Sequence, residues 1–135
     1  MASTNKGIQI VSDFIQAVNQ LPNFSVTRTS ISRQVFEMTG SKNCLLYVKS
    51  RSAHPFKWGV TANVIDRLKN QDLPWFVILL FLSYETGYLL SSNDVKYYIK
   101  GVWPLAADGD YKPAEGTYLS KSNPFNSVKR CIDQL

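Results

Sequence analysis

Along residues 5–21 the apolar positions Ile8, Val11, Phe14, Ile15, Val18 and Leu21 recur at helical spacing, while Ser12, Asp13, Gln16 and Gln20 stay polar. That rhythm of threes and fours predicts an amphipathic helix, ended by Pro22 and Asn23. The rhythm then shortens to two. Strands are predicted at 24–29, 34–39 and 43–49, the first alternating cleanly and the second in part. The polar stretch 40–43, Gly-Ser-Lys-Asn, predicts a hairpin between the second and third. Thr61 is placed to cap a second helix with Val64, Ile65 and Leu68 as its buried stripe, and 70–74 breaks it. Residues 75–82, WFVILLFL, are continuously apolar, as a central strand covered on both faces requires. A hairpin strand at 86–90 follows, then a short helix capped by Ser91 or Ser92 and carrying Val95, Tyr98 and Ile99. The remainder is loop-rich, with one strand at 116–119 and a last helix opening at Pro124.

The order helix, three strands, helix, buried strand, strand, helix predicts an α/β fold, a mixed-sheet sandwich. The 135 residues form one expected domain, with a core at 5–99 and a C-terminal extension, including an extra helix, at 100–135. A chain of that length buries roughly two thirds of its unfolded surface, so it needs no metal or disulfide to hold a core.

Composition narrows the partners. At 44% hydrophobic and 19% charged residues the chain reads as folded, not disordered. The opening MASTNKGIQIV lacks a secretory pattern, and 75–82 is far shorter than the roughly 20 residues that cross a bilayer. The expectation is a cytoplasmic protein with no membrane partner. Cys44 and Cys131 lack zinc-site spacing and are expected to be buried thiols, with a bridge between them left open. A net charge of +5 turns the chain toward anionic partners, nucleic acid before membrane.

Candidate chemistry begins at 44–52, CLLYVKSRS, where an apolar strand ends on Lys49 and passes into Ser50, Arg51 and Ser52. Lys49, Arg51, Lys57, Arg67 and Lys69 stand against the single acid Asp66, which suits a surface pair with its neighbour Arg67. One reading is a patch that tracks phosphates, with the two serine hydroxyls as donors and Trp58 as a stacking surface. About four such contacts give a log–log salt slope near −3 to −4 on duplex DNA. The other reading is a solvated rim around the second helix. His54 beside Pro55 reads as loop, and Asp108-Gly109-Asp110 lacks the remaining ligands of a calcium loop and reads as a turn. There is no phosphate-binding glycine loop, Ser-His-Asp or Cys-His arrangement, or metal-ligand quartet in the sequence.

The element order, with a strand ending Val48-Lys49-Ser50, resembles the restriction-endonuclease-like (PD-(D/E)XK) superfamily, whose core is helix, three strands, helix, strand. The stretch LLYVKSRSAHPFKWGVTANVIDRLKNQDLPWFVILL carries the likeness most closely, and the resemblance covers residues 5–90. It implies a metal-dependent phosphodiesterase holding Mg²⁺ between an acid on the second strand and the acid of a (D/E)-x-K triplet on the third. Lys49 matches the lysine of that triplet, but the acid position holds Tyr47, a poor Mg²⁺ ligand. Glu37 is the one carboxylate on the second strand. A two-residue turn places it opposite Leu46, about 10 Å from Lys49 and on the other face, whereas an odd loop brings it to the face of Tyr47 and Lys49.

The resemblance therefore implies first a degenerate metal site on a nuclease-like scaffold that binds nucleic acid, DNA above all, through Lys49, Ser50, Arg51, Ser52, Lys57, Trp58, Arg67 and Lys69. Its first alternative is an active Mg²⁺-dependent endonuclease with Glu37 as metal ligand and Lys49 as catalytic partner, the missing acid supplied by the tail or a second copy. Its other alternative is a non-catalytic interaction or immunity-type module contacting a protein through Trp103 and the tail. Whether a homodimer or another protein partner is used stays open at this point.

Overall fold

Helix α1 (Lys6–Asn19) forms where the apolar rhythm predicts it, but its buried stripe is Ile10, Val11, Phe14 and Val18. Ile8 lies roughly a quarter turn off that stripe and is 63% exposed. The computed structural model describes residues 6–115 and 117–135; Asn5 of the predicted first helix and Gly116 of the predicted 116–119 strand lie outside them. Strands β1 (Phe24–Arg28), β2 (Val35–Gly40) and β3 (Cys44–Arg51) make an antiparallel meander. Gly40 adopts φ 117°, and a Cβ there would run into the carbonyl of Asn23, so the end of β2 requires glycine.

The chain crosses from β3 through the two-residue strand β4 (Val60–Thr61) and helix α2 (Ala62–Lys69) to β5 (Trp75–Phe81). Thr61 is the N-cap of α2 as predicted, although its side chain makes no capping bond. β5 lies parallel to β3, with Leu45 beside Trp75 and Arg51 beside Phe81. A tight turn returns as β6 (Gly87–Ser91), and α3 (Ser92–Tyr98) begins with a full capping box between Ser91 and Asp94. The tail adds β7 (Asp110–Tyr111) against β4, a short 3₁₀ turn at Thr117–Leu119, β8 (Asn123–Phe125) against β6, and α4 (Val128–Asp133). The predicted strand at 116–119 is thus a turn over its described residues. The last helix opens at Val128, because the Ser127 hydroxyl accepts the Arg130 amide and caps it. Pro124 instead sits in the edge strand β8, where a missing N–H costs nothing.

The protein is a mixed α/β fold. Its main sheet runs β1-β2-β3-β5-β6-β8, antiparallel at every neighbour except β3–β5. Alternation along β3 shows the two buried faces. Cys44, Leu46 and Val48 face α1 and α4, while Leu45 and Tyr47 face α2 and α3. Each large apolar side chain so buried stabilises the fold by roughly 1.5–3 kcal/mol. The 100–135 segment completes both cores, with Trp103 and Leu119 on one side and Phe125, Cys131 and Ile132 on the other. The outer edge of β1 is closed as well: the Val26 amide donates to Asn19 Oδ1 at 2.7 Å, and Asn19 Nδ2 donates to the Val26 carbonyl at 3.3 Å. Both cysteines are free and buried, and burial pushes the Cys44 thiol up to about 11. Among the described residues no helix is long and apolar enough to cross a membrane.

Candidate functional site

Strand direction decides which cations meet. β1, β3 and β5 all run the same way, and Arg51 and Phe81 reach one end of the sheet side by side, whereas Arg28 ends β1 level with Leu46, about 10 Å short of Lys49 along the strands. The loops 29–34 and 52–59 leave from that end and bring Arg33, Ser52 and Lys57 with them. Arg67 and Lys69 do not join this group. They occupy the last turn of α2, which leads toward Trp75 at the opposite end of the parallel pair. Arg67 also spends its guanidinium on the Ile31 and Ser30 carbonyls, where the start of the 29–34 loop folds back toward the end of the helix before Arg33.

On the α2 face of this end, Lys49 is already engaged. Its ammonium donates to Gln34 Oε1 at 2.9 Å and lies 5.9 Å from the centre of the Tyr47 ring. Burial draws its pKa below the ordinary lysine value; nearby Asp110 pulls it back up and Lys112 pushes it down again. Asp110 arrives from the tail because β7 pairs with β4, and Gly59 makes room, since a Cβ there would stand 2.7 Å from Asp110 Oδ2. Lys112 closes the cluster at 2.9 Å from Asp108 Oδ2 and 3.8 Å from Asp110 Oδ2. The Asp110 amide also donates to Asp108 Oδ1 across Gly109, the turn the sequence predicts.

The magnesium site does not fit these residues. Tyr47 is buried and its hydroxyl accepts the Thr61 amide at 3.1 Å, while burial raises its pKa and keeps it a neutral phenol. The hairpin register is one residue off the two-residue turn, with Val35 opposite Tyr47 and Glu37 opposite Leu45. The odd loop puts Glu37 on the face of Lys49, yet four residues away along the strand, about 13 Å. There Glu37 lines a shallow depression with Arg28, Gln71 and Asp72. No group of three His, Cys, Asp or Glu side chains among the described residues could hold a metal ion. Glu37 and Lys49 are therefore not a metal-and-lysine pair.

Three further expectations are corrected by burial. Trp58 is 1% exposed, donates Nε1–H to the Leu80 carbonyl at 2.8 Å and meets Phe81 and Tyr88 edge-on, so it offers no ring face to a base. Trp103 is also buried, stacked on Tyr98 and donating to the Tyr118 carbonyl, which removes the aromatic anchor expected for a protein interface. Ser50 points to the opposite face from Lys49 and donates to the Gly7 carbonyl at 2.6 Å. Arg51 keeps the Lys49 side, and its Nε is buried without a partner. Ser52 and Lys57 are exposed.

The α1 face of the same end is open. A cleft of about 700 Å³ lies between α1 and the β1–β2 end, with Arg28 and Arg33 on its wall and Gln34 and Ser50 linking it to β3. No carboxylate lines it among the described residues. Neither arginine stands among the ion pairs of the described residues, which join Lys112 to Asp108 and Asp110 and Lys129 to Asp133. The sequence patch omits both arginines because it follows positions near Lys49 along the chain, and these approach through the sheet. The signal was present in Arg28, which ends a strand running parallel to β3. No protein-family model matches this chain and no curated protein matches it, so the functional reading rests on the residues and their geometry.

Proposed function

We propose that this protein binds nucleic acid through phosphate contacts at one end of its sheet and does not cut it. The element order through β5, the two-residue strand β4 apart, resembles that of the restriction-endonuclease-like core, and the position at which that resemblance expects an acid holds a tyrosine already engaged with Thr61. The observation that carries the reading is that Arg33, Arg51 and Lys57 meet where β3 ends and the 29–34 and 52–59 loops leave the sheet, with Arg28 on the wall of the adjoining α1 cleft. Arginine suits this role because its planar fork engages phosphate oxygens in pairs. Fluorescence anisotropy with labelled duplex DNA across a salt series tests it. Four contacts give a log–log slope of about −3 to −4, and a salt-independent or absent signal refutes the reading. Supercoiled plasmid held with Mg²⁺ or Mn²⁺ stays intact on this account; nicking that disappears in Lys49→Ala would establish the nuclease instead.

A further inference from the structure

We propose that the cleft between α1 and the β1–β2 end takes one unpaired nucleotide of a nucleic-acid strand; this rests on the phosphate-binding reading above. At about 700 Å³ the cleft lies within the ~300–1,000 Å³ range of ligand pockets. Val11, Ile15 and Phe36 give it an apolar wall suited to the flat face of a base. Ser12 and Gln16 add groups that both donate and accept, which is what a base edge presents, and Ser32, whose hydroxyl already accepts the Gln34 amide, keeps its O–H to donate. An aliphatic chain in the same place would leave those polar groups unpaired. Arg28 and Arg33 supply the phosphate contact, with no carboxylate on the described wall to compete.

Two observations sharpen the choice of occupant. Ile8 lines the cleft while 63% exposed, the largest departure of α1 from its apolar stripe, and a seated base covers it. An added β-strand is not the occupant, because Asn19 already holds the outward amide and carbonyl of Val26 on β1. A base locked in a duplex cannot enter a cleft of this kind, so the strand presents an unpaired end or a gap.

The test compares a blunt duplex, the same duplex with a three-nucleotide overhang, and a free mononucleotide, each against the full chain by anisotropy or competition. The overhang binds about tenfold tighter than the blunt end. Ser12→Trp, an exposed position whose new ring fills the mouth, brings overhang affinity down to the blunt-duplex level, and Gln16→Ala removes part of the preference without added bulk. Equal affinity for the two duplexes, or a preference that survives Ser12→Trp, overturns the cleft assignment while leaving the phosphate-binding reading standing. Failure of all three probes to bind overturns both. A mononucleotide that binds while both duplexes do not shows a small-molecule site and overturns the strand assignment.

Discussion

Gln34 accepts from Lys49 on one face of the sheet and lines the cleft of Arg28 and Arg33 on the other, yet the surroundings of the two groups differ. Around Lys49 the chain supplies its own answer: a glutamine acceptor, an aspartate from the tail, and a lysine that the tail's two aspartates bind in turn. Around the arginines it supplies a cleft with no carboxylate on its described wall, while Glu37 and Asp72 border a separate depression that Arg28 also touches. A charge matched inside the protein mainly serves the fold, and one left facing an open concavity is available to a ligand. Lys49 therefore marks the more structural side, and Arg28 and Arg33 the more available one.

The largest break in that comparison comes from the closed side. Trp58→Ala should cost about 3–5 kcal/mol, read as a fall in urea midpoint, because it empties a buried site and removes the indole bond to the Leu80 carbonyl. A loss of nucleic-acid affinity with unchanged stability would instead mean that Trp58 faces the ligand. On the open side, Arg28→Ala with Arg33→Ala should weaken DNA binding roughly 10–100-fold near 0.1 M salt and flatten the salt slope by about 0.9 per lost contact. Both positions are exposed, so stability should move by less than about 0.5 kcal/mol.

Tyr47→Phe separates structure from chemistry at position 47. Removing the hydroxyl leaves the Thr61 amide without its acceptor, an expected cost of about 1–2 kcal/mol with DNA affinity unchanged within twofold. Impaired binding would place the phenol at the interface.

The smallest effect is a pH dependence. In the fold Lys49 releases its proton below the ordinary value near 10.4, so between its lowered folded pKa and ~10.4 the unfolded chain holds more protons. Stability from this group therefore rises with pH through that window and is flat above it. Lys49→Met should lack the rise, and identical stability-versus-pH curves for the two proteins would show the ammonium to be free in water.

Much of the fold was legible because it is written locally. The stripe of α1, the breaker at Pro22, the alternation of β1 and the apolar run of β5 each record burial over a few adjacent residues. The short strands were not legible. β4, β7 and β8 have two or three residues each and exist because a distant segment pairs with them. The 40–43 turn was placed correctly, but whether its loop is odd or even decides the face of Glu37, and composition does not state that parity. Trp58 shows the same limit, since a tryptophan in a loop can be covered or bare and only its neighbours decide.

By itself the sequence determined the mixed α/β character, the order of its larger elements, the buried thiols and the lysine at the end of a central strand. These follow from hydrophobic periodicity and turn chemistry, which act over one or two turns of chain. Only the tertiary structure decided that the tail would bring Asp110 to Lys49, that Arg67 and Lys69 would lie away from the sheet end, and that Arg28 and Arg33 would share a cleft with α1. Those outcomes depend on strand order, direction and register, which bring distant residues together through the sheet and leave no mark on the pattern along the chain.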